Sequence, residues 1–121
     1  MPATLIILVT GPYRTGTNNN PDLMRANLRK MEDAALRLFR AGHIPFIGEW
    51  VARPLMRVAA SKKTGDNEFN EILYPAAARL ILKCDAILRL PGESKGADGD
   101  TRIARQNNIP VYYDLDQLLR L

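Results

Sequence analysis

Five consecutive apolar residues, Leu5-Ile6-Ile7-Leu8-Val9, run without a polar break into the loop Thr10-Gly11-Pro12-Tyr13-Arg14-Thr15-Gly16. A strand with one solvated face alternates apolar and polar residues. A strand without alternation is covered on both faces, the condition of a parallel sheet held between helices. Parallel neighbours must then be joined by crossover segments, usually helical. The chain repeats the arrangement further on. Asp85-Ala86-Ile87-Leu88-Arg89-Leu90 enters a loop with glycines at 92, 96 and 99, and the amphipathic Thr101-Arg102-Ile103-Ala104-Arg105-Gln106 follows. Two glycine-rich loops at strand ends predict a small-molecule site on an open α/β sheet.

Between the two loops the punctuation is that of alternating strands and helices. Asn20 can cap a helix with Pro21 at its first position. Met24, Leu28, Met31, Ala35 and Leu38 then follow helical spacing until Gly42 stops the element near residue 41. Ile44 to Ile47 reads as a second strand, and residues 49–61 as a helix that Pro54 should kink or restart. Lys62 to Asn67 is polar and glycine-containing, a loop suited to act as a lid. Residues 68–83 read as a helix with Pro75 as a kink or restart point, and Asp85 to Leu90 as the third strand. A helix is expected over 98–107 and a fourth strand over Ile109 to Tyr113, with Asp114 capping a last helical turn through Leu119. The expected fold is a three-layer α/β/α open sandwich, Rossmann-like or flavodoxin-like. Its parallel sheet has order 2-1-3-4 with room for a fifth strand, in one domain over residues 1–121.

Composition narrows the classes. At 121 residues the chain can hold one core and not two. A 46% hydrophobic share beside 25% charged residues is that of an ordinary soluble globular protein. The Leu5–Val9 run is too short to cross a membrane and lacks the flanks of a signal peptide, so a cytoplasmic protein is expected. The net charge is +4, and the basic residues are spread from Arg14 to Arg120 without interleaved aromatics. That pattern suits a small phosphorylated ligand and not a nucleic-acid partner. The single cysteine, Cys84, reads as a packed free thiol. One histidine and one thiol supply no metal-ligand spacing, and both the Walker and the dinucleotide-binding patterns are absent, so neither metal nor cofactor is expected.

The chemistry-bearing residues fall in the two loops. A helix starting near Asp98 would present free N–H groups and a positive dipole end to an anion, with Gly96 and Gly99 allowing close approach. Asp98 and Asp100 occupy that turn and Glu93 precedes it. Carboxylates there also serve as caps, so capping and functional roles are both open. In the first loop, Gly11, Pro12, Tyr13 and Arg14 offer amides, a phenol and a guanidinium that can clamp a phosphate or carboxylate. In order 2-1-3-4 the first and third strands are neighbours whose outgoing loops part to opposite faces. The resulting crevice would bring Tyr13 and Arg14 near Glu93, Ser94 and Asp100. Ser94 has no histidine partner for a triad. His43, after Gly42, reads as a helix-end partner. Glu49 and Trp50 follow the second strand and could line the crevice, with burial of Trp50 in the core the competing expectation.

Taken together, Gly11-Pro12-Tyr13, Ala41-Gly42-His43-Ile44-Pro45, Cys84-Asp85-Ala86-Ile87, Leu90-Pro91-Gly92 and above all Ser94-Lys95-Gly96-Ala97 with an acid three residues on make a pattern. It resembles the nucleoside 2-deoxyribosyltransferase-like superfamily, and within it the small DUF4406 proteins, over nearly the whole chain. The resemblance implies an enzyme that breaks or exchanges the N-glycosidic bond of a nucleoside or nucleotide. A carboxylate nucleophile would sit at Asp100, with Tyr13 as a second catalytic group. Gly11, Pro12, Arg14, Gly92, Glu93, Ser94, Gly96, Ala97 and Asp98 would bind substrate. A homo-oligomer, dimer or tetramer, is implied too, and an exposed Trp50 or Leu55-Met56 would suit such a contact. Two positions depart from the superfamily pattern. Asp100 stands where a glutamate is usual, withdrawing the carboxylate by about 1.5 Å. Pro75-Ala76-Ala77-Ala78 carries no acid where an aspartate usually faces the base. The alternative on the same fold is a non-catalytic nucleotide or sugar-phosphate binder, and a third reading is a subunit whose role is association.

Overall fold

The structure, a computed structural model, describes residues 3–61 and 69–121. Strand β1 (Ile6–Thr10) leads through a loop to helix α1 (Pro21–Arg40), then β2 (Ile44–Ile47) and α2 (Gly48–Ser61). A π-helical stretch, Phe69–Leu73, runs into α3 (Tyr74–Ile81). Then follow β3 (Ala86–Arg89), α4 (Lys95–Gln106), β4 (Val111–Tyr112) and α5 (Leu115–Leu119). The lid expected at Lys62 to Asn67 lies outside the described residues.

The four strands form one all-parallel sheet in the order β2-β1-β3-β4. In register, Ile7 stands beside Pro45 and Ala86, and Val9 beside Ile47 and Leu88. The unbroken apolar run is explained by this position, since Ile7, Leu8 and Val9 are all buried. Ile7 and Val9 meet Leu28, Met31 and Leu38 of α1 and Leu118 of α5 on one face. Leu8 and Ile87 meet Ile81 of α3 and Ala104 of α4 on the other. Three layers result. Pro45 fits in β2 because the Ile44 amide faces β1, donating to Leu5 O at 2.8 Å. By alternation the missing amide of Pro45 falls on the open edge of the sheet.

Helix α1 has the ends its residues predict. Asn20 accepts from the Asp22 and Leu23 amides, a cap worth about 1 kcal/mol. At the other end Gly42 takes φ +100, and the His43 amide returns to Leu38 O, the left-handed stop that glycine permits. His43 itself is no surface cap. It is buried, and its Nδ1 accepts from the Leu5 amide at 3.1 Å, tying the entry of β1 to the end of α1. Cys84 is buried as a packed thiol, its pKa pushed up to about 11 by burial and the neighbouring Asp85 charge.

Three expectations need correction. Pro54 does not restart α2, which runs through it. The Trp50 carbonyl, which loses the i+4 donor that Pro54 lacks, lies on an exposed stretch of helix where water can serve it. Trp50 is not core either. It is 39% exposed and donates to Glu32 Oε2 at 2.7 Å, away from the crevice. Finally, α4 begins three residues before the expected start. Ser94 is its cap, accepting from the Ala97 amide at 3.1 Å, so neither Asp98 nor Asp100 performs that role. No helix among the described residues is long and apolar enough to cross a membrane.

Candidate active site

The two glycine-rich loops meet at the carboxyl end of the sheet, and their contact depends on two glycines. A Cβ on Gly11 would stand 3.1 Å from Leu90 Cβ. A Cβ on Gly92, whose φ is +117, would stand 2.7 Å from Pro12 Cγ. Larger residues would push the loops apart. Pro12 and Gly92, expected to bind substrate, therefore interlock the loops and do not line the crevice. Arg89, buried at the end of β3, fixes the second loop from beneath by donating to Leu90 O and Gly92 O and to Asp98 Oδ1, the last at 2.8 Å.

The earlier start of α4 decides which acid enters the site. Residues two apart on a helix point about 200° away from each other. Asp100 shares the inward face of Ala97 and Ala104, whereas Asp98 turns outward to Arg89 and is largely exposed. Asp98 is thus a partner of the loop clamp and is absent from the crevice wall. Asp100 lines the crevice, and its Oδ2 accepts from Thr10 Oγ1 at 2.7 Å. Thr10 ends β1 and is the residue just before Gly11, so the hydroxyl and the carboxylate arrive from opposite ends of the sequence.

Around this bond lies a cavity of about 210 Å³. Gly11, Tyr13, Arg14, Glu93, Ser94, Gly96 and Ala97 line it together with Asp100, as expected of them. Glu49 also lines it, as its place after β2 suggested. Leu73 at the end of the π-helical stretch and Tyr74 and Ala77 of α3 form a further wall; the resemblance had pointed to the segment around Ala77, but nothing had pointed to Leu73 or Tyr74. Tyr74 approaches closely because Gly96 leaves room; a Cβ there would meet the Tyr74 ring at 3.4 Å. Arg14 donates to the Tyr74 hydroxyl at 3.4 Å, linking the first loop to α3. Only the first two features were legible in the sequence. The Tyr74 position depends on how α3 packs, which no local signal gives.

The electrostatics separate the groups. Burial raises the Asp100 pKa to about 6, while the Thr10 hydroxyl and the Arg89 charge hold it down. Asp100 is therefore mostly ionised at pH 7. Burial raises Glu49 further, to about 7, with the Asp100 charge adding to the rise. Its own backbone amide and Arg53 oppose it. Tyr13 is raised by burial, with Arg53 lowering it and Glu49 raising it, so its phenol stays protonated and can donate. At the start of α4 the amides of Lys95 and Gly96 have no intrahelical acceptor, and Lys95 adds a positive charge beside them. Small anionic oxygen groups are favoured there. Among the described residues no group of three His, Cys, Asp or Glu side chains could hold a metal ion.

A neutral phenol, an ionised carboxylate, a half-protonated carboxyl and an anion-binding helix start thus surround one small cavity. Such a set can stabilise positive charge developing on a bound carbon centre and move one proton. Comparison with protein-family models, with curated proteins and with solved structures gave no match.

Proposed function

We propose that the chain cleaves or exchanges the N-glycosidic bond of a nucleoside or nucleotide, with Asp100 as the carboxylate that meets the sugar C1′. The observation that carries this reading is the Thr10–Asp100 bond beside the cavity. It holds an ionised acid at the point where both glycine-rich loops converge. Breaking a C1′–N bond passes through an oxocarbenium-like transition state. A fixed carboxylate lowers its energy or forms a covalent sugar ester, as in retaining glycosidases. Tyr13 donates to a sugar oxygen. Arg14, Ser94 and the amides of Lys95 and Gly96 take the 5′ side, phosphate or hydroxyl, and Glu93 stands at the rim. The resemblance to the nucleoside 2-deoxyribosyltransferase-like superfamily supports the same reading, which also takes the protein as a cytoplasmic homo-oligomer without nucleic-acid partner.

The test is release of free base, measured by chromatography, from a panel of ribo- and deoxynucleosides and their 5′-monophosphates. Wild type is expected to release base from at least one. Asp100→Asn is expected to lose the activity by on the order of a thousandfold. Equal release by both proteins would remove Asp100 from the mechanism, and no release by wild type would remove the enzymatic reading. A second reading, nucleotide or sugar-phosphate binding without turnover, is favoured by the wall from the π-helical stretch and α3, whose Leu73, Tyr74 and Ala77 bring no acid to the cavity. Saturable thermal shifts with nucleotides and no product would select it.

A further inference from the structure

The cavity contains a second acid that the reading above leaves without a task. Glu49 is the second residue of α2, only 9% exposed, and it lines the cavity. The residue before it packs directly on α3. A Cβ at Gly48 would stand 3.4 Å from Ala77 Cβ and 3.9 Å from Leu73 Cδ1. Glu49 therefore belongs to the same wall as Leu73, Tyr74 and Ala77. In strand order it enters from the β2 side and Asp100 from the β3 side, with β1 and Thr10 between them. The sheet spacing sets those flanking strands about 10 Å apart. A sugar–base bond presented to Asp100 through its carbon would extend its base toward the wall with the tyrosine ring and the Glu49 carboxyl.

We infer that Glu49 is the general acid of the proposed reaction, delivering a proton to the nitrogen of the departing base from the wall opposite Asp100. The inference rests on the glycosidic reading of Asp100. As the C1′–N bond breaks, its electron pair stays with the base nitrogen, which takes the Glu49 proton, while an Asp100 oxygen bonds to C1′. Water, or the N–H of a second base, then attacks C1′. Its proton returns to Glu49, and the C1′–O bond breaks to restore the Asp100 carboxylate. The charges facing Glu49 suit that cycle. Asp100 from α4 and burial favour its protonated form. Arg53, one turn on in α2, and its own amide favour the charged form, and Tyr13 faces it as a neutral phenol. The balance, near pH 7, allows the group to give and regain a proton.

The experiment compares wild type, Glu49→Gln and Asp100→Asn on the best nucleoside substrate and on the 4-nitrophenyl glycoside of the same sugar. Nitrophenolate leaves without a proton. Glu49→Gln should slow base release by on the order of 10²–10⁴-fold and barely change the first-turnover burst of nitrophenol, which also shows that the variant is folded, while later turnovers slow because the attacking water has lost its proton acceptor. The fall in kcat/KM above about pH 7 should disappear with it. Asp100→Asn should lose both substrates. Equal first-turnover losses on both substrates in Glu49→Gln, or an alkaline limb that persists in it, would overturn the assignment and leave the Asp100 reading standing. Retention of both activities in Asp100→Asn would take down the reading beneath it.

Discussion

Keeping Glu49 in a nearly dry wall has a cost that stability measurements can read without any substrate. Folding raises its pKa from 4.5 to about 7, so the native chain holds the proton more tightly than the unfolded one. Below pH 4.5 both states are protonated and the group costs nothing electrostatically. As the pH climbs from 4.5 through 7 the unfolded chain ionises first, and native stability is lost. Above pH 7 the folded protein carries the buried charge at full cost. With about 1.4 kcal/mol for each tenfold change in proton affinity, that cost approaches roughly 3 kcal/mol. Glu49→Gln keeps the shape and removes the charge. Relative to wild type it should be more stable by about 2–3 kcal/mol at pH 8.5 than at pH 4.5. Comparing the two pH values cancels any pH-independent effect of the amide on packing. Urea unfolding followed by circular dichroism suffices. With a slope of about 1–3 kcal/mol per M, the midpoint difference should grow by on the order of 1 M between the two pH values. A difference that stays constant with pH, or that shrinks as pH rises, would refute the placement of an acid in this wall. The same substitution would then show lost chemistry beside gained stability, a familiar exchange at active sites.

Other perturbations follow from the same geometry. Thr10→Val removes the hydroxyl that favours ionised Asp100, so the acidic limb of the kcat/KM profile, near pH 6 in wild type, should move to higher pH; an unmoved limb would detach Thr10 from the acid. Arg89→Met leaves Leu90 O and Gly92 O without their donor and should cost about 2–4 kcal/mol in urea unfolding, whereas a loss below 1 kcal/mol would show that the clamp contributes little. Gly99 sits inside α4 with open space where a Cβ would go, so Gly99→Ala should raise stability by about 0.5–1 kcal/mol in thermal melts without lowering activity.

The frame of the molecule was readable because its signals are local and redundant. The apolar run 5–9 announced a strand covered on both sides, Asn20-Pro21 and Gly42 bracketed α1, and Ile44 to Ile47 matches β2 residue for residue. The crevice between the loops after β1 and β3 followed from strand order alone. The start of α4 was misplaced because Ser94 and Asp98 are both good caps, and only packing of Ala97, Thr101 and Ala104 against the sheet chooses between them. That choice also sends Asp98 and Asp100 to different sides, so two acids only two positions apart take unrelated roles. Pro54 brought no restart for a different reason: its missing amide matters little on an exposed helix face. Tyr74 was silent, since only the packing of α3 over the cavity makes it a neighbour of Arg14 and Gly96.

The hydroxyl–carboxylate bond between Thr10 and Asp100 spans 90 positions of the chain. The proposed site therefore comes into being only when the opening strand and a late helix are both in place. A nascent chain that has not yet released α4 holds no partial version of it. A ligand seated across that bond would act as a rivet between early and late segments, slowing amide exchange in β1 and α4 together.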